Sequence, residues 1–292
     1  MSHPYDKWIL DQEPAANIIL FNQDDSIAHQ YLHDHKSEYS YITFFDDWKH
    51  NRCIDLEIVK SDVESQIDSI AALSECDLVR AGELRDFLKI GGISLDEVNF
   101  FRNKHLMKSA AKETGLLTPR FALITNVFEL IDFAKLNGFP FIIKPIDSAG
   151  AVGIDVIKDK KDFDEWVRLK EQIRDEPIQF IVEEYISAPI IVVDGLMMSG
   201  NIIVSTVSSY QGSCLDRAKK QVALGLLQEK YESELYQKAQ KYAKQLISAM
   251  PHINSYNSFH MELLSPAVLL LLSPLASYIT GSGVDVAGGL NG

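Results

Sequence analysis

Short apolar runs alternate with amphipathic stretches along the first hundred residues. Asn17 to Asn22 is an unbroken apolar run between polar ends and predicts a buried strand. Asp24 to Lys36 follows as a helix. Tyr39 to Phe45 predicts a second strand, and Cys53 to Val59 a third. In Ser61 to Leu73, the residues Val63, Ile67 and Ile70 recur on one helical face behind a serine cap at Ser61. Cys76 to Val79 reads as a fourth strand, and Ala81 to Leu88 as a helix ending near Gly91-Gly92. Such alternation of strand and helix predicts an open α/β sheet.

A second unit starts near Leu95. Asp96 to Thr114 carries one helical pattern that ends at Gly115. Asn126 caps a helix to Leu136, and Phe139 to Pro145 predicts a strand that closes on Lys144. A loop of small residues, 147–153, leads to a strand from Ile154 to Ile157, then a helix from Lys161 to Arg174. Gln179 to Ile186, Ile190 to Asp194, Asn201 to Ser208 and Phe259 to Leu264 predict further strands, with a long helix from Lys230 to Met250. The apolar stretch from Leu263 to Ile279 has a core of only Ala267 to Leu272, bounded by Pro266 and Pro274. A bilayer span needs about 20 apolar residues, so a buried strand is the expectation.

Composition narrows the function. Of 292 residues, 46% are hydrophobic and 24% charged, as in an ordinary globular protein. The formal net charge of −13 disfavours phosphate backbones and anionic membranes as partners. Three cysteines without CxxC spacing argue for a reducing compartment, and the polar N-terminus shows no secretory h-region. The expectation is a cytoplasmic protein without nucleic-acid or membrane partners.

Lys144, at the end of an apolar strand, precedes a loop whose Gly150 and Gly153 let backbone N–H groups approach an anion. Lys104 lies forty residues upstream in Arg102-Asn103-Lys104. Glu183 and Glu184 close a strand and alternate faces, so at most one of them points inward. Glu262 sits within a later strand, two residues from His260, so both can share a face. Arg217 and Lys219, with Lys220, follow a Gly-Ser-Cys-Leu-Asp turn. Contact with a phosphate or substrate carboxylate and a solvated loop are equally open readings there.

The order of these pieces resembles the ATP-grasp superfamily, near its carboxylate–amine (carboxylate–thiol) ligase branch. The matching residues include Ala81-Gly82-Glu83-Leu84-Arg85, Phe101 to Lys108, Gly115 to Pro119, Phe139 to Pro145, Ser148 to Gly153, Glu183 to Ile186, Val193-Asp194-Gly195 and Phe259 to Leu263. The resemblance spans about Leu73 to Gly283. It implies an N-terminal open α/β (pre-ATP-grasp) domain at 1–94, then an ATP-grasp module at 95–292 with a lid subdomain at about 116–178. It further implies that Lys104 and Lys144 contact ATP phosphates, covered by the loop containing Ser148, Gly150 and Gly153. Glu183 and the Ile186 backbone would meet the adenine edge, with Glu184 beside them, and Glu262 would be a Mg²⁺ ligand. The implied reaction activates a small-molecule carboxylate, such as an amino acid, as an acylphosphate. An amine then displaces phosphate, with ADP released. Arg217 and Lys219 are the candidate catalytic cations, ATP and Mg²⁺ the expected cofactors, and a homodimer stays open as the assembly.

The chain departs from the family pattern toward its end. Where the family reads roughly Glu-Ile-Ala-Ser-Arg-x-Gly-Gly, this sequence reads Pro274-Leu275-Ala276-Ser277-Tyr278-Ile279-Thr280-Gly281. Proline offers no ligand atom and tyrosine is neutral near pH 7. Asp285 and Asn291 are alternative oxygen donors, and the chain stops soon after Gly283. The alternative expectation is therefore a catalytically degenerate, short ATP-grasp protein that binds nucleotide without turnover.

Overall fold

A computed structural model gives the fold and describes residues 18–24, 39–72, 74–147, 153–169, 179–214, 220, 222–250 and 256–264. The chain divides into two compact units. The first holds the described residues up to Ala71 together with Leu84–Gly91, and the second holds Ala72–Glu83 and the described residues from Gly92 onward. The architecture mixes helix and sheet, in line with the α/β expectation.

In the first unit, β1 (Ile19–Gln23) and β2 (Tyr41–Phe45) pair in parallel, Ile19 opposite Tyr41. Helix α1 (Cys53–Ser65) packs Ile54 and Ile58 into a small core with Leu84, against which Phe21, Phe45 and Trp48 lie. This corrects the third strand expected at Cys53 to Val59. Its alternating apolar residues imitate a strand, but the buried positions are Ile54, Ile58 and Ser61, while Leu56 is 71% exposed. That is a 3.6-residue repeat, not a 2-residue one. The helix expected from Ser61 is displaced for the same reason. Ser61 lies inside α1 and its hydroxyl donates to the Glu57 carbonyl at 2.9 Å. The fourth strand at Cys76 to Val79 is also absent. A 3₁₀ turn (Glu75–Asp77), with the Ser74 side chain accepting from the Cys76 N–H, runs into α2 (Leu78–Leu88).

In the second unit, the single helix expected from Asp96 to Thr114 is two. Helix α3 (Leu95–Arg102) starts at a capping box formed by Ser94 and Glu97, and α4 (Lys104–Glu113) follows at once. Asn103 is extended (φ −89°, ψ 103°), and its side-chain oxygen accepts from the N–H groups of His105 and Leu106. A cap residue inside an apolar repeat thus ends one helix and begins the next. Next come β3 (Phe121–Ile124), α5 (Val127–Asn137), β4 (Phe141–Pro145), β5 (Asp155–Ile157), α6 (Lys160–Leu169) and β6 (Phe180–Glu184). These strands form an antiparallel sheet in the order β3-β6-β4-β5. One of its faces packs Ile143, Val182 and Phe141 against Phe133 of α5 and Phe163 and Trp166 of α6.

The second sheet has the order β10-β7-β8-β9, built from β7 (Ile190–Met198), β8 (Asn201–Gln211), β9 (Gly225–Gln228) and β10 (Tyr256–Leu264). Helix α7 (Glu234–Ala249), capped by Ser233, buries Tyr236, Ala239, Tyr242, Ala243, Leu246 and Ile247. These residues pack in one core with Ile191, Val193, Val207, Phe259, Met261 and Leu263. Alternation along the strands leaves Val192, Asp194, His260 and Glu262 on the opposite face. The short strand β9 had no counterpart in the sequence pattern. The helix expected at Asp24 to Lys36, with His29, His33 and His35, lies outside the described residues. So does the expected strand at Ala267 to Leu272.

Candidate functional site

Lys144 and Glu183 come from neighbouring antiparallel strands. Ile142 stands opposite Glu183 and Lys144 opposite Ile181, so the two charged side chains are diagonal neighbours on the face away from the Phe133–Phe141–Phe163 core. Lys144 Nζ lies 2.9 Å from Glu183 Oε1. The other carboxylate oxygen receives a second lysine, Lys108 of α4, at 3.4 Å. Lys104 precedes Lys108 by one helical turn, and its charge also acts on Lys108. All four residues are buried.

The electrostatics follow from that crowding. Burial lowers the pKa of Lys108 to about 8; Glu183 raises it in part, and Lys144 and Lys104 oppose that rise. For Glu183, burial pushes the pKa up, but the charges of Lys108 and Lys144 outweigh it and hold the carboxyl below its ordinary value. Glu183 is thus an ionised carboxylate that clamps lysines from a helix and a strand.

Glu184 turns the other way, as the alternation of faces requires. Arg120 grips it with two hydrogen bonds of 3.0 and 2.9 Å, which lower its pKa. Ile186, just past β6, is half-buried. Gly153 sits at φ +75°, where a Cβ would come within 3.0 Å of the Pro145 ring, so the chain returns tightly against the end of β4. Ser148 and Gly150 lie outside the described residues, as do Arg217, Lys219, Pro274, Tyr278, Asp285 and Asn291.

Glu262 belongs to a second group, on the face of the other sheet that turns away from α7. His260 stands opposite Asp194 across β10 and β7, and their Nδ1 and Oδ1 atoms are 2.7 Å apart. Its Nε2 lies 3.8 Å from Glu262 Oε1, and Cys214 Sγ lies 3.9 Å from the same oxygen. Burial alone would lower the His260 pKa, but the bonds to Asp194 and Glu262 raise it to about 10. Burial and the Glu262 charge push the Tyr210 phenol upward. Among the described residues, no group of three or more histidine, cysteine or acidic side chains is arranged to hold a metal ion.

The structure thus brings Lys144 and Glu183 together, places Lys104 one helical turn from Lys108, the other lysine on that carboxylate, separates Glu184 from them by its face, and gives Glu262 different neighbours. Lys108 and the Asp194–His260 pair were not singled out as site residues. The four-residue spacing of Lys104 and Lys108 is a signal for the first. Asp194 and His260 share a sheet face only once the strands are registered.

No family model matches the chain. A formate-dependent phosphoribosylglycinamide formyltransferase of Prochlorococcus marinus is 34% identical over 79 residues, 27% of this chain and 20% of that protein. The chain therefore matches about a fifth of the length of this curated relative. The L-amino acid ligase of Bacillus licheniformis superposes with a TM-score of 0.61 at 17% identity, over 85% of this chain and 63% of the ligase. The N5-carboxyaminoimidazole synthetase of Staphylococcus aureus, complexed with ADP, superposes at 0.63 and 12% identity, over 98% of this chain and 68% of the synthetase. No helix among the described residues is long and apolar enough to cross a membrane.

Proposed function

Because the chain has the ATP-grasp fold, we propose that it is an ATP-dependent carboxylate–amine ligase. The observation that carries this reading is the buried Glu183 carboxylate shared by Lys108 and Lys144, with Lys104 buried one helical turn from Lys108. Two lysines on one carboxylate, with a third buried a helical turn away, suit a polyanion better than a neutral ligand, in a chain whose net charge is −13. A nucleotide polyphosphate supplies the negative charges that such a group balances.

In this reading Lys104 and Lys144 hold the phosphates. Glu183 and Lys108 keep Lys144 aimed, so the ammonium does not reorganise when charge develops on the transferring phosphoryl group. The half-buried Ile186 backbone is the adenine-edge candidate beside Glu183. The substrates are a small carboxylate, such as an amino acid, and an amine, and the carboxylate oxygen takes the γ-phosphoryl group. The amine then displaces phosphate to form the amide, with ADP released.

Mg²⁺ keeps several waters and takes one or two protein carboxylates plus substrate phosphates. Glu262 is an oxygen donor of that kind on the sheet face turned away from α7, and when bound the ion would neutralise phosphate charge there. The His260 imidazolium 3.8 Å away is the group with which a cation would share this carboxylate.

Pro274 and Tyr278 favour a second reading, a nucleotide-binding protein without turnover. The two readings separate in one assay. The chain is incubated with ATP, Mg²⁺ and a pool of amino acids, and ADP release is followed in wild type and Glu262→Gln. The ligase reading expects amino-acid-dependent ADP release that falls at least about 100-fold in the variant. Saturable ATP binding without ADP release would select the second reading.

A further inference from the structure

Helices α3 and α4 meet at the single extended residue Asn103, so α4 does not inherit its direction from α3. Something else must aim Lys104 and Lys108, which α4 carries. Two ties do so, and both run to the end of β4. The Lys104 N–H donates to the Ile146 carbonyl at 2.9 Å. The Arg102 guanidinium donates through Nη2 to the Asp147 carbonyl, one residue further on. Its Nη1 pairs with Glu75 in the 3₁₀ turn, and both side chains of that ion pair are 9% exposed. Arginine's rigid fork can serve a carboxylate and a carbonyl together, which a lysine ammonium at the end of a flexible stem does not reproduce.

We propose that Arg102 is a positioning residue for the lysine group. Held by Glu75, it fastens the start of α4 to the end of β4, and so fixes Lys104 and Lys108 relative to Lys144. Resting on the ATP-site reading above, the inference assigns a role to two residues, Arg102 and Glu75, that touch no phosphate. Their effect reaches the ligand only through the spacing of the lysines. A displacement of that spacing weakens contacts to a chain of phosphates and leaves contacts to the nucleoside intact.

The test uses the full chain and displacement of a fluorescent ATP analogue by ATP and by AMP. The variants are Arg102→Lys and Glu75→Gln, the second being the milder change if the first folds poorly. Each is expected to weaken ATP about tenfold, and AMP, which lacks the β and γ phosphates, by less than about twofold. Equal loss of ATP and AMP affinity would mean a merely structural role and would overturn the proposal. So would folded variants that bind ATP like wild type. A wild-type chain from which ATP fails to displace the analogue would sink the ATP-site reading and this inference together, a result distinct from normal wild-type binding with indifferent variants.

Discussion

Replacing Glu183 by glutamine removes the carboxylate that faces Lys108 at 3.4 Å and Lys144 at 2.9 Å. The shape is kept and the charge is lost. Glu183, Lys108 and Lys144 are all buried, so the two lysines are poorly placed to be resolvated when the carboxylate is lost. Breaking a buried ion pair from one side costs about 3–5 kcal/mol. At about 2–4 °C per kcal/mol for a unit of this size, the melting temperature at pH 7 should fall by about 6–20 °C. ATP should then act as a replacement anion. Its protection of the variant should exceed its protection of wild type, where about 2.7 kcal/mol is expected at a ligand concentration 100 times Kd. The pH dependence has a definite sign. The Glu183 pKa is lowered in the folded state, so its contribution is present above the unfolded value of about 4.3 and is lost as pH falls through the folded one. The gap between wild type and variant should therefore close in acid. Differential scanning fluorimetry across pH, with and without ATP, measures all three effects. A variant melting within about 2 °C of wild type at pH 7 would refute the claim that these charges are coupled.

Lys108 gives a second pH signature. Its pKa falls from 10.5 unfolded to about 8 folded, so between those values the unfolded chain holds the extra proton and stability rises with pH. Urea titrations of Lys108→Met should lack that rise, and an identical slope in the two proteins would contradict the assignment. Gly195 crosses Phe259 so closely that a Cβ would lie 2.6 Å from the ring and 2.6 Å from the Val204 carbonyl. Gly195→Ala should cost about 1–3 kcal/mol by overpacking, read as a lower urea midpoint, and an unchanged midpoint would mean that the sheet opens there at no cost.

Much of the second unit was legible because its strands and helices have clean periods and explicit caps. Asn126 caps α5 as read, and the alternation at Glu183-Glu184 placed one carboxylate inside and one on Arg120. The first unit misled because Cys53 to Val59 alternates like a strand while its buried residues repeat like a helix. The break at Asn103 was hidden by buried residues on both sides of it, Phe101 and Met107. In the site, Lys144 and Glu183 announced themselves as strand ends. Lys108 did not, since a lysine at helical spacing is ordinarily a solvated one. The Arg102–Glu75 pair joins residues 27 positions apart, a contact made only by tertiary packing.

The buried lysines at Glu183 form the proposed polyphosphate site. Calorimetric titration of the full chain with ATP, with and without Mg²⁺, tests it most directly when repeated on Lys144→Met. The account predicts saturable binding by wild type and at least about tenfold weaker binding by a variant that still melts cooperatively. Equal ATP affinity in the two proteins, or none in well-folded wild type, would contradict it.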